Sequence, residues 1–203
     1  MAIKQVSLVS SVIVSFYCLM AINSAQAQII PDSTTDADVI DSCANSCNIT
    51  GGKLAGENLF HSFQEFSIRQ GESVYFADPG VANIFSRVTG NNASQIFGTL
   101  GVSGNATLFL LNPNGIIFGE GATLDINGSF FATTADEIQF GDLGSFAAVS
   151  DSSENLTLLT VNPNALLFNQ MGQQGAIAKL AEGIAINNTS LNLPETETLT
   201  LLG

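Results

Sequence analysis

From Ile49 onward the chain alternates short apolar runs with clusters of Gly, Asn and Asp. The runs include SVYFA (73–77), ATLFLL (106–111), GIIFG (115–119), ATLDI (122–126), SFFAT (129–133) and EIQFG (137–141). LTLLTV (156–161), ALLF (165–168), GAIAKL (175–180), GIAIN (183–187) and TLTLL (198–202) continue the series. Each is four to six residues long and a turn signal follows it, which predicts short strands. No stretch sustains the 3.6-residue period of an amphipathic helix, and HSFQEFSI (61–68) is the one ambiguous segment. Residues 28–48 are polar and acid-rich and are expected to form a loose leader ahead of the strand-rich part, 49–203.

One motif occurs twice. LLNPNGIIFG (110–119) and TVNPNALLFN (160–169) align without gaps, the second copy fifty positions after the first. In Asn112-Pro113-Asn114-Gly115 each residue suits a type I turn, with Pro fixing φ at the second corner and the Asn side chains bonding nearby backbone. Asn162-Pro163-Asn164-Ala165 is expected to keep that turn with Ala in place of Gly. Many short strands fit a sandwich, a barrel or a solenoid. The offset between the copies fits two coils of a β-solenoid at roughly 20–30 residues per coil, so an all-β solenoid is the expected fold.

The N-terminal segment, 1–27, changes the picture of where the chain works. Lys4, the apolar run Val6–Ile22 and Ala25-Gln26-Ala27 form a secretory signal with cleavage expected after Ala27. Of three cysteines, Cys18 lies in that segment, and Cys43 and Cys47 are expected to pair in an oxidising compartment. A metal site would need more ligands than the single His61 supplies. With 5 Lys and Arg against 18 Asp and Glu, the net charge of −13 argues against nucleic acid and anionic lipid as partners.

Candidate chemistry is sparse. His61, flanked by Phe60 and Phe63, reads as a packed residue, since no nucleophile motif accompanies it. Asp136-Glu137 is the carboxylate pair that a polysaccharide-cleaving site would need, but basic residues to handle an acidic sugar are few: Lys53, Arg69, Arg87 and Lys179 beyond the signal. The Asp-x-Asn-Gly at 125–128 lacks the remaining ligands of a calcium loop, and the sequons at Asn105 and Asn127 read as turns. LPETE (193–197) lacks the rest of a sortase signal. Neither a cofactor nor an enzymatic activity is expected. The phenylalanines, among them Phe76, Phe85, Phe97, Phe118 and Phe130, are read as solenoid filling.

The signal followed by NITGGKLAGENLFHSFQEFSI, ANIFSRVTG and LFLLNPNGIIFGEGATLDINGSFFATTAD resembles the N-terminal domain of two-partner secretion (TPS) exoproteins. This is the filamentous haemagglutinin N-terminal, or haemagglutination-activity, domain, and the wording is nearest its cyanobacterial versions. The resemblance runs from Ile49 to Gly203 and is most specific at Asn58, Leu59, Phe60, His61, Ser62, Phe63 and Phe66, and at Asn112, Pro113, Asn114, Gly115 and Ile116. It implies a right-handed parallel β-helix with an N-terminal cap, Sec export, and recognition by an Omp85-type outer-membrane β-barrel with periplasmic recognition domains. The second family motif maps onto Asn162, Pro163 and Asn164, with Ala165 where Leu is usual. On this resemblance the chain is a secretion-targeting, folding-nucleating domain of a surface-exposed or extracellular adhesin. The alternatives are an adhesin that binds surface glycans or cells, and a β-helical polysaccharide-cleaving enzyme. Ending at ETETLTLLG, within a predicted strand, the solenoid is expected to be open there.

Overall fold

The computed structural model describes residues 29–40, 43, 45–149, 155–168, 184–186 and 191–202. The predicted signal with its cleavage point after Ala27, and the predicted strand 175–180, lie outside the described residues.

The strands, in chain order, are β1 (Ile29–Pro31), β2 (Ala37–Ile40), β3 (Ser46–Gly51), β4 (Lys53–Ala55), β5 (Asn58–Phe66) and β6 (Ser73–Ala77). Then come β7 (Asn83–Val88), β8 (Ser94–Ile96), β9 (Thr99–Ser103), β10 (Thr107–Leu111), β11 (Ile116–Phe118) and β12 (Thr123–Asp125). Last are β13 (Phe130–Thr133), β14 (Glu137–Gln139), β15 (Ser145–Ala147), β16 (Ala165–Leu167), β17 (Ile184–Ile186) and β18 (Leu199–Leu202). Three stacks of parallel strands form a β-solenoid: β5-β7-β10-β13-β18, β8-β11-β17, and β3-β6-β9-β12. The expected all-β parallel β-helix is what the chain forms.

The pairing shows the true period. Asn58 pairs with Asn83, Asn83 with Thr107, and Leu108 in turn with Phe130. Each coil is therefore about half as long as the spacing of the two Asn-Pro-Asn copies, or a little shorter. Like sits on like at each rung: Leu59, Ile84, Leu108 and Phe130 stack inward, while Phe60, Phe85, Phe109 and Phe131 stack outward. Inside, the first group joins Ile68, Ile96, Ile116, Phe118 and their neighbours in one dry core. Short strands suffice here because each backbone ladder is completed by the coils before and after it.

Phe130 finds its next partner only at Leu199, and before that β17 pairs with β11 in the stack. Within that interval β14 pairs antiparallel with β15 and β16, making a small sheet outside the coil stack. Ile138, Phe140, Phe146, Leu156 and Leu159 from this excursion close over Phe60 and Phe85, forming a second core on the solenoid's outer face. The predicted strand 156–161 begins as a 3₁₀ turn, Leu156–Leu158, and tucks only Leu156 and Leu159 inward. Stacked rings run from this core along the outer face: Phe60–Phe85 centroids are 5.1 Å apart, Phe85–Phe109 4.5 Å and Phe109–Phe131 4.7 Å. So Phe60 and Phe85, read as interior filling, belong to a separate core that the excursion covers, and Phe109 packs against its edge.

The stretch 28–48 departs from the expectation of a loose leader. β1 pairs antiparallel with β5, and β2 with β3, covering the edges that the first coil would otherwise expose. Asp32, just after β1, accepts hydrogen bonds from Ser62 Oγ, Thr89 Oγ1 and the Thr34 N–H. Cys43 and Cys47 are disulfide-bonded with Cα atoms 4.6 Å apart, closing the turn into β3. Arg87, 1% exposed, ties the cap to the excursion: its Nε donates to Ser62 Oγ, one guanidinium nitrogen to Thr34 Oγ1 and another to the Ala147 carbonyl. The guanidinium also lies 4.5 Å from the Phe146 ring centroid.

Phe85 is fully buried between two neighbouring rings, whereas Phe131 is only half-buried. Phe85→Ala is therefore expected to cost about 3–5 kcal/mol in chemical denaturation, and Phe131→Ala roughly half of that or less. Equal losses would contradict the covered and uncovered halves of the ladder.

Candidate functional site

The two Asn-Pro-Asn copies fold into different things. In the first, the turn between β10 and β11 closes with the Gly115 N–H donating to the Asn112 carbonyl at 3.1 Å. Gly115 takes φ 113°, a left-handed value that an L side chain strains to adopt. Asn112 is fully buried, and its Nδ2 donates to the Asn92 carbonyl and to Ser94 Oγ, both at 3.0 Å. Its Oδ1 accepts from the Asn114 N–H at 2.9 Å. Asn114 Nδ2 reaches the Gly90 carbonyl at 2.7 Å, and the Asn112 N–H donates to the Thr133 carbonyl on the next coil. This corner stitches three consecutive coils, and its Asn112 side chain faces no solvent.

The second copy is not a coil corner two turns further on. Asn162–Asn164 leads into β16 of the outer sheet, and the Asn164 N–H donates to the Gln139 carbonyl on the neighbouring strand. Among the described residues no turn bond closes Ala165 onto Asn162, and Ala165 is not at positive φ. Ala cannot cheaply take the conformation that Gly115 uses, so the tripeptide runs into an antiparallel pair instead. Asn162 and Asn164 are exposed. The spacing of the two copies is thus not a stacking period.

A buried amide relay docks this second copy. Asn58 Nδ2 donates to the Leu159 and Val161 carbonyls at 2.8 and 2.7 Å, and Asn83 Nδ2 donates to Asn58 Oδ1 and Asn162 Oδ1 at 2.9 and 3.1 Å. Asn83 went unremarked in the sequence, although ENLF (57–60) and ANIF (82–85) repeat at the true coil spacing and expose it.

The cap motif, Asn58–Phe66, is strand β5 itself. Leu59, His61 and Phe63 point into the solenoid, Phe60 and Ser62 outward, and Phe66 packs on Phe63 with centroids 5.3 Å apart. His61 lies against Phe76 and Phe63, and neither ring nitrogen has a hydrogen-bond partner among the described residues. Burial without a partner pushes its pKa down to about 4. Burial pushes Asp32 the other way, but hydrogen bonds from Ser62, Thr34 and Thr89 outweigh it and hold that carboxyl below its usual value. Asp78 is likewise lowered: burial raises it, and four backbone N–H donors, from Gly80, Val81, Asn105 and Ala106, more than offset that. Asp78 so joins two coils at another corner.

The sparse chemistry of the sequence stays dispersed. Glu137 accepts from Ser145 Oγ, and Asp125 accepts from the Tyr75 hydroxyl. Among the described residues no three His, Cys, Asp or Glu side chains cluster as a metal site would require. What the fold does assemble is a groove of about 560 Å³ between the uncovered outer face, at Phe109, Phe131 and Thr200, and the exposed second motif, Asn162–Leu166.

A capped parallel β-helix with an outer excursion and two asparagine-rich motifs defines the architecture of the described residues. Residues 27–203 match the TPS secretion domain family, and the chain belongs to that family. Over 75 residues, 36% of this chain, it is 43% identical to a heme/hemopexin-binding protein of Haemophilus influenzae (strain ATCC 51907 / DSM 11121 / KW20 / Rd). A second heme/hemopexin-binding protein of Haemophilus influenzae is 41% identical over 75 residues. The matched segment spans 8% of the length of each of these relatives.

His61 sets a pH window. The unfolded chain protonates this residue near 6.5 and the folded one only near 4, so the unfolded state binds the extra proton between those values and stability falls as pH falls. The loss should total about 3 kcal/mol between pH 7 and pH 4. Urea denaturation of the wild type and His61→Leu across that range is expected to show the slope only in the wild type. An unchanged slope in His61→Leu would assign it elsewhere. Below pH 4 the lowered carboxyls of Asp32 and Asp78 take up protons on unfolding, and both proteins should lose further stability together.

Proposed function

We propose that this secretion domain directs export of its chain by binding a dedicated outer-membrane β-barrel transporter of the Omp85 type. Residues 1–27 act as the Sec signal and are removed after Ala27. The family match across residues 27–203 carries this reading. The capped first coil supports a second part of it: with its starting edge closed by β1 and β2, the domain offers a template on which following coils add. Folding at the cell surface then draws the chain outward one coil at a time.

The two motifs divide the work in this account. Asn112, buried in its corner, serves folding, while Asn162 and Asn164, exposed on the outer sheet, are available for contact before and after folding. A second reading is that the exported chain is itself a surface binder, an adhesin for which export is the delivery route. The curated relatives, named as heme/hemopexin-binding proteins, support a binding role for the exported whole.

The test is secretion in cells with and without the partner transporter. Export should require the transporter, and Asn112→Ala should reduce the amount of folded protein at the surface by about tenfold or more, since it strands the groups that Asn112 satisfies. Export that ignores the transporter would overturn the reading.

A further inference from the structure

The groove beside Asn162–Leu166 is built from distant parts of the chain: rungs two to five of the outer face, from Asn83 to Thr200, form one wall and the excursion the other. Two observations define its chemistry. First, none of its lining residues is charged, in a chain whose net charge is −13. Second, the polar groups at its rim are open. Asn162 and Asn164 use their Oδ1 atoms to accept from Asn83 Nδ2 and the Gly141 N–H. Their Nδ2 groups, and the hydroxyls of Thr107 and Thr200, find no partner among the described residues.

From this juxtaposition we infer that the groove is a binding site for a neutral carbohydrate. A pyranose offers an apolar C–H surface and a rim of hydroxyls. The first suits the phenylalanine pair Phe109 and Phe131; the second suits amide donors and threonine hydroxyls, which both give and accept hydrogen bonds. The volume of about 560 Å³ lies within the ordinary range for small-molecule sites, roughly 300–1,000 Å³. Acidic sugars are disfavoured because the surrounding chain is strongly negative and the groove supplies no cation to offset it. The site deepens the surface-binder reading and gives it a chemical class of ligand. It is independent of the export route, so failure of one leaves the other standing.

The test uses the purified, ¹⁵N-labelled protein without any transporter, titrated separately with maltose, lactose and cellobiose. Glucuronate and the blocked peptide acetyl-Val-Thr-Val-amide are the contrasting probes. At least one disaccharide should give saturable shifts of the Asn162 and Asn164 side-chain amides, with glucuronate weaker. Asn164→Asp keeps the oxygen that accepts the Gly141 N–H and removes the open donor, so it should weaken binding about tenfold or more. Thr200→Val, which preserves shape, should weaken it severalfold, and both variants are checked for an unchanged melting curve. The proposal is overturned if no disaccharide saturates, if Asn164→Asp and Thr200→Val bind as tightly as wild type, or if the blocked peptide is the preferred ligand.

Discussion

Every coil after the first must bring its backbone back into register with the previous one, because the stacked strands' N–H and C=O groups are satisfied by the neighbouring coils. The corners decide whether that happens. At each corner the chain turns sharply and leaves polar groups without ladder partners, and here side chains take over that work. Asn112 bonds a carbonyl and a hydroxyl on the coil before it while accepting from its own turn. Asp78 collects four backbone N–H groups from two coils. Stranding such groups costs about 1–3 kcal/mol each, enough to lose a register. The inward rungs of leucine, isoleucine and phenylalanine can pack only because these corners hold them in line.

Much of this was legible in the residues, and the part that was not has identifiable causes. The strands of the solenoid proper stand out as apolar runs between turn residues, and β6, β10, β11, β12 and β13 lie where those runs predict them. The coil length agrees with the expected one, but the residues that set it were harder to find. Two widely spaced copies of Asn-Pro-Asn imitate a stacking repeat, whereas the working repeat is the weaker one of Asn58-Leu59-Phe60, Asn83-Ile84-Phe85 and Thr107-Leu108-Phe109. Gly115 against Ala165 was the discriminating difference, since only glycine suits the positive φ of the coil corner. The leader's strands were hidden because β1 and β2 are short, edge-covering segments whose partners lie elsewhere in the chain. Nothing local in 137–147 announces that its sheet folds back over Phe60 and Phe85.

That excursion gives the domain its asymmetry. One half of the outer phenylalanine ladder is sealed under it, and the other half, with Phe109 and Phe131, borders an open groove. The seal is fastened from both ends: Arg87 reaches the Ala147 carbonyl beside the cap, and the Asn58–Asn83 relay grips the chain at Leu159, Val161 and Asn162. The same tripeptide therefore has two tasks. Buried, it shapes a corner; exposed, it rims a surface.

Backbone hydrogen exchange of Asn112→Ala and Asn162→Ala, compared with wild type, tests that division most directly. Asn112→Ala should speed exchange in 83–88, 107–111 and 116–118 together, because the coils lose their shared corner. Asn162→Ala should speed exchange in 137–147 and 165–167 while the coil strands keep their protection. The same pattern from both variants would contradict the account, since the two copies would then be performing one structural task.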